Sequence, residues 1–295
     1  MTHPAVHPET PRLVVPAGCT LGEGPVWDHR NGHLLWVDIK GQAVWRWNPE
    51  TDKTDQVNTP EPVGFVALTP DPDIVLAGFK SGLARLHLWG GQVQPLLSPE
   101  PERPNNRIND GHVGPNGVLY FGTMNDGGDE PTGSFWAYDG EQLNAFHGNI
   151  VTTNGPAVSA DGQTLYTADS RGQMIFAHDL DGGVPGEPRR FARFEEGWGH
   201  PDGMAVDATG HLWACHYGGS RITRFAPDGS VERTLPVPTA LVTKCAFGGP
   251  DLQTLYITTA RQGRDPAIDP MAGHVFAVDA GVKGLPAHVF TGKPS

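Results

Sequence analysis

Basic side chains are scarce. The 295 residues hold 21 Lys and Arg against 33 Asp and Glu, a formal net charge of −12. A surface of that sign repels phosphate backbones, so no nucleic-acid partner is expected. Cysteine is scarcer still. Cys19, Cys215 and Cys245 form no Cys-x-x-Cys pair, and an odd count fits free, buried thiols in a reducing compartment. No run approaches 18 apolar residues, which excludes a membrane-spanning helix. Met1–Thr10 lacks an apolar h-region and is read as a disordered tail, not a signal peptide, which makes the expected location cytoplasmic. Long helical periodicity is also missing. With 39 Gly and 28 Pro, about twice the usual share, a helical bundle or coiled coil is excluded, and the lack of a strict three-residue period excludes collagen. There is no Gly-x-Ser-x-Gly elbow, no His-Glu-x-x-His, no phosphate-binding glycine loop and no dinucleotide fingerprint. The 13 histidines are scattered; His200 and His216 read as pocket walls or packing residues rather than ligands.

What is present is a repeat. An apolar residue, usually followed by an aromatic, opens the short runs Leu35–Asp38, Ile74–Ala77, Leu119–Gly122, Leu165–Ala168, Leu212–Cys215 and Leu255–Thr258, whose second positions fall 39 to 47 residues apart. Turn signals such as Asn31-Gly32 and Asp161-Gly162 precede five of them. A second strand-like run follows each, from Val44–Trp47 to Val275–Val278, and a third precedes each, from Gly24–Trp27 to Cys245–Phe247. Segments such as Arg189–Phe194 and Val231–Leu235 offer a fourth. Six units of this length predict an all-β chain, a six-bladed β-propeller with four-stranded blades, as a single domain over 11–295. Leu13–Val15 is expected to pair beside the last blade and close the ring. The tryptophans at strand positions are assigned to the core.

Two units carry insertions, around Met124–Gly133 and Ala260–Gly273. Both fall between the second and third strands, which places them on one face and marks that face for binding. Polar residues gather at the same end, just before each innermost strand: Glu23 in Gly22-Glu23-Gly24, Arg107, Asn109 and Asp110 in Asn106-Arg107-Ile108-Asn109-Asp110-Gly111, Asn154 in Thr153-Asn154-Gly155, and Asp202 in Pro201-Asp202-Gly203. Asx-Gly is also a common turn in which the side chain caps its own backbone. The recurrence of Glu, Asn and Asp at one repeat position gives the alternative of three oxygens converging on a divalent cation in the central channel. Spacing alone does not decide between them. Lys244, at the entrance to the sixth blade, could reach the channel, but the preferred reading is a surface lysine. Trp198, in an irregular stretch before Asp202, is either a wall of the site or loop packing.

The ordered set Leu21-Gly22-Glu23-Gly24-Pro25, Asn106–Gly111, Phe121–Met124, Thr153–Pro156, Pro201–Met204 and Phe247–Gly249, with Gly281–Gly284 near the end, resembles the regucalcin (senescence marker protein)/gluconolactonase family. The resemblance runs from about Cys19 to the C-terminus. It implies a propeller of metal-dependent sugar-acid lactonases. It further implies that Glu23, Asn154 and Asp202 are metal ligands and that Arg107 and Asn109 bind substrate. The cofactor would be one divalent cation (Ca, Zn, Mn, Mg or Fe), and the partner a small sugar lactone. Where some members carry a substrate-binding Glu after the Gly-Thr-Met segment, this chain reads Asn125–Glu130, and Asp126 is the substitute. The implied reaction opens an aldono-lactone to the free acid. The metal polarises the lactone carbonyl and Asp202 takes the proton of the attacking water. Two other functions fit the same features: an organophosphate or aryl-ester hydrolase on the same metal, and a non-catalytic calcium-binding propeller.

Overall fold

The computed structural model describes residues 4–292, and among these there are strands and turns but no helix. Six sheets form the blades of a propeller, as the repeat predicts. Their innermost strands are Gly22–Asp28, Val63–Leu68, Asn106–Val113, Thr153–Val158, His200–Val206 and Val242–Gly248. Each is followed outward by its second, third and fourth strands in antiparallel order. The fourth strands of blades four and five, Arg189–Arg193 and Val231–Pro236, lie where the weak sequence signals put them. The ring closes between its ends. Arg12–Val15 is the outer strand of the sixth blade and pairs Leu13 with Phe276 and Val15 with Val275. That closure removes an open edge.

The segment read as a tail contains the two-residue strand Ala5–Val6, which runs parallel to the outer strand of blade five and pairs with Arg233 and Thr234. His7 follows it into a buried position. Met1–His3 lie outside the described residues.

The apolar core is a set of layers between neighbouring blades. Val37 and Val44 of blade one face Val66, Phe79 and Leu86 of blade two. Trp27 of blade one stacks on Tyr256 of blade six with ring centres 5.5 Å apart. Trp36, Trp47 and Trp213 are buried in the same way, and Trp45 is half-buried and stacked on Trp36. Because each blade is covered on both faces, its inner strands read as nearly continuous apolar runs and lose the alternation of a half-exposed sheet.

Register fixes the direction of the blades. Gly22 pairs with Asp38, Asn106 with Asn125 and Val242 with Thr259. The connection after each second strand therefore leaves from the end where the inner strand begins. The two insertions lie in such connections, over residues 126–132 and 260–274, and share that face.

Candidate functional site

All six inner strands break register near their beginnings. Pairing with the second strand skips between Glu23 and Val26, Val63 and Phe65, Ile108 and Asp110, Asn154 and Ala157, Pro201 and Met204, and Val242 and Cys245. The polar motif residues are therefore part of the inner strands, at or within a bulge, rather than just ahead of them. A bulge releases residues from the ladder and re-aims their side chains, here toward the channel. Pro25 and Pro156 sit in the skipped stretches, where no ladder donor is required. Gly155 takes φ +61°, and a Cβ there would stand 2.7 Å from the Asp202 carbonyl oxygen, so the bulge of blade four demands glycine.

Five of the six inner strands, all but that of blade two, bring one cluster together. Glu23, Arg107, Asn109, Asp110, Asn154, Asp202 and Lys244 are each no more than 7% exposed. Asn154 is held from both sides. Its Nδ2 donates to Ser170 Oγ at 2.9 Å, and Ser170 Oγ donates to the Pro201 carbonyl at 2.6 Å. Its Oδ1 accepts from Asn109 Nδ2 at 2.8 Å. Asn109 Oδ1 in turn accepts from Arg107 Nη1 at 2.5 Å, and Arg107 Nε donates to Asp126 Oδ1 at 2.8 Å. A continuous polar chain thus runs from the channel to the insertion of blade three. Asp126 is also bound by Lys40 at 2.8 Å and lies 3.6 Å from Lys80, cations from the equivalent connections of blades one and two. Burial pushes the Asp126 carboxyl up, but hydrogen bonds and charge from Lys40 and Arg107 outweigh it and hold it below the usual range.

Glu23 and Asp202 are placed differently. Glu23 Oε2 accepts from the Gly24 amide at 2.9 Å. Asp202 Oδ1 is buried with no hydrogen-bond partner. Burial, followed by the charge of Asp110, pushes the Glu23 carboxyl up to about 8. Burial, then Glu23 and Asp110, pushes Asp202 well above its ordinary value. Two desolvated carboxylates beside a third, with one oxygen orphaned, are unfavourable unless a cation or protons neutralise them. These carboxylates and the Asn154 amide carry oxygens of the type that could hold a hard divalent cation. Among the described residues no three His, Cys, Asp or Glu side chains form a metal-holding group.

Lys244 corrects the sequence reading. It is a channel residue, not a surface one, and its Nζ is paired with Asp110 Oδ1 and lies 3.3 Å from the Gly111 carbonyl. A signal for it exists. The glycine that follows the site position in blades one, four and five (Gly24, Gly155, Gly203) is replaced by lysine in blade six. Ser170, which orients Asn154, carries no signal beyond being one more serine in a turn. Trp198 resolves toward packing: it contacts Phe194 and His216 and lies under the Arg221 guanidinium, 4.5 Å from the ring centre. His200 Nδ1 lies 2.9 Å from the Ser170 carbonyl, and His216 is buried with its pKa pushed down to about 3 by desolvation. Neither joins the oxygen cluster. All three thiols are free and buried.

Comparison with known proteins decides the family. The model of the SMP-30/gluconolactonase/LRE-like region matches residues 21–261. The chain belongs to this family. It is 36% identical to an L-arabinolactonase of Azospirillum brasilense, over 93% of each chain. It is 35% identical to a regucalcin of Xenopus laevis, over 92% of this chain and 95% of the relative. The crystal structure of a calcium-binding protein, regucalcin, from Agrobacterium tumefaciens superposes with a TM-score of 0.93 at 27% identity, covering 98% of this chain and 99% of that one. The family resemblance read from the ordered motifs and the propeller read from the repeat are both borne out. No helix among the described residues is long and apolar enough to cross a membrane.

Proposed function

We propose that this chain is a divalent-metal-dependent sugar-acid lactonase that hydrolyses an aldono-lactone to the free aldonic acid. The observation that carries the reading is the orphaned, desolvated Asp202 oxygen, in a buried cluster with Glu23 and with Asn154, which Asn109 joins to a buried arginine. Glu23, Asn154 and Asp202 would hold the cation. When bound, the cation supplies positive charge to the carbonyl oxygen of the lactone as that oxygen becomes negative. The protein's own groups do the rest. Arg107, fixed by Asp126 and Asn109, presents remaining donors to ring or hydroxyl oxygens. Asn109 and Asp126 complete the substrate contacts along the polar chain. Asp202 takes a proton from water as it adds to the carbonyl carbon. The ring C–O bond then breaks, and the proton ends on the departing ring oxygen as a hydroxyl. The L-arabinolactonase relative supports a sugar lactone as substrate, and the calcium-binding neighbour supports a divalent cation.

The test is proton release on a panel of aldono-1,4- and 1,5-lactones, with spontaneous opening subtracted. Protein stripped by chelator is reloaded with one divalent metal at a time. A phosphotriester and an aryl ester run in parallel. Metal-dependent turnover on a lactone, exceeding both comparison substrates, is expected. A folded, metal-loaded protein that opens no lactone but cleaves the phosphotriester would overturn the reading in favour of an organophosphate hydrolase. An Asp202→Asn protein that binds metal and turns over at the parent rate would remove Asp202 from the mechanism.

A further inference from the structure

Asp110 and Lys244 lie inside the cluster yet are not needed to hold a cation or a substrate. Asp110 is fully committed. Its Oδ1 accepts from the Gly111 amide at 2.7 Å and from Lys244 Nζ, and its Oδ2 accepts from the Gly155 amide at 3.0 Å. The pair therefore ties blade six to blade three and blade three to blade four across the channel. Lys244 has no freedom to leave. Its stem passes over Gly203 in the bulge of blade five, where a Cβ would collide with the Lys244 Cβ and Cγ. Lys244 also lines the cavity on the far side of the cluster, so it belongs to the floor of the site.

Charge gives this floor a function. With every carboxyl ionised, as holding a cation requires, Glu23, Asp110 and Asp202 contribute three negative charges to the buried set and Lys244 one positive, leaving −2. Arg107 is offset separately by Asp126. One divalent cation neutralises a set of −2, whereas without Lys244 the set would be −3 and would hold a dication with excess charge. An unpaired buried charge is costly, so the lysine also spares the metal-free protein part of that cost.

We propose that Lys244 is a built-in counter-cation. It holds the carboxylate cluster together when the metal is absent, and it keeps metal affinity below what the three carboxylates alone would give. The inference rests on the metal reading of Glu23, Asn154 and Asp202, and its test uses binding and stability, not turnover.

Stripped full-length protein is titrated calorimetrically with calcium and with manganese, and melted without metal. Lys244→Met is expected to tighten divalent binding by at least about tenfold, because the added negative field attracts a dication more than the proton it displaces. The same variant is expected to melt lower than the parent when metal-free. Asp110→Asn is expected to do the opposite to affinity and weaken it, since a lone ammonium then faces the dication. The double variant, with the pair removed as a unit, is expected to return to within about threefold of the parent. Opposite signs in the single variants are a signature that simple disruption cannot produce. Weakening in both, or no change in either, overturns the proposal. Should Lys244→Met not fold without metal, the double variant carries the test: parent-like affinity supports the proposal and a tenfold loss overturns it. A parent protein that takes up no divalent cation is a separate failure; it overturns the metal reading itself, and the role of Lys244 with it.

Discussion

The same six inner strands make both ends of the channel, and the ends differ in chemistry. Where the strands begin, each is bulged, and carboxylates, amides, Arg107 and Lys244 face inward. Where they end, pairing is regular and the lining turns apolar. There Trp27, Val66, Met204 and Phe247 surround a cavity of about 100 Å³, stopped by the C-terminal segment Leu285–His288. The difference teaches that the propeller separates its tasks along one axis. The regular end stabilises through apolar burial, and the bulged end carries uncompensated charge that the fold tolerates.

The largest effect should come from the bulged end. Glu23→Gln is expected to abolish the metal-dependent component of lactone turnover, a loss of ~10³-fold or more. It should also abolish the rise in melting temperature on adding metal, yet raise the melting temperature of the metal-free protein, because folding no longer has to protonate or bury a charged carboxyl at this position. Activity assays and thermal melts with and without metal check all three.

Next is the regular end. Phe247 is buried against the edge of Trp213. Phe247→Ala is expected to cost ~3–5 kcal/mol and several degrees of melting temperature. The kcat/KM of the folded fraction should stay within about twofold of the parent. A variant that melts normally but loses activity would break the division between the ends.

The ends should also answer pH with opposite sign. Glu23 has a folded value near 8 against an ordinary 4.5. Its contribution to the metal-free protein is present in acid and lost as pH rises from about 4.5 through about 8. His112, set in the floor cavity and pushed down to about 3 by desolvation, behaves in reverse. Its contribution is present above 6.5 and lost as pH falls from 6.5 toward 3. In melts of stripped protein across pH, Glu23→Gln should flatten the alkaline limb and His112→Asn the acid limb.

The smallest effect belongs to the rim. Arg171 and Asp129 pair at 2.8 Å, but both are largely exposed. Arg171→Ala should change stability by no more than ~0.5 kcal/mol, within the scatter of a denaturant titration.

The fold was legible because a propeller repeats. The aromatic-led second strands recur at nearly constant spacing, and each blade repeats the same pairing. The candidate site was legible partly through that repeat, which left turns as an alternative, and partly through the family resemblance, which assigned Arg107, Asn109 and Asp126 as well. Glu23, Asn154 and Asp202 each precede a glycine at one position of the unit, so their recurrence stands out against single Asx-Gly turns. Lys244 was misread because it interrupts the recurrence. A lysine among apolar residues looks like a surface residue until Asp110, 134 residues earlier, is brought against it. Ser170 and the clasp of Lys40 and Lys80 on Asp126 depend on contacts between blades, which no local pattern encodes. The strand boundaries were set too late for a related reason. The bulges break the alternation that marks a strand, so polar residues inside the inner strands looked like loop.

The most direct measurement is where a divalent cation sits. Crystals of the stripped protein soaked in manganese would show it by anomalous scattering. A single peak within coordination distance of Glu23, Asn154 and Asp202, with Lys244 still paired to Asp110, is the predicted result. A peak elsewhere on the propeller, or none in a protein that hydrolyses lactones, would contradict it.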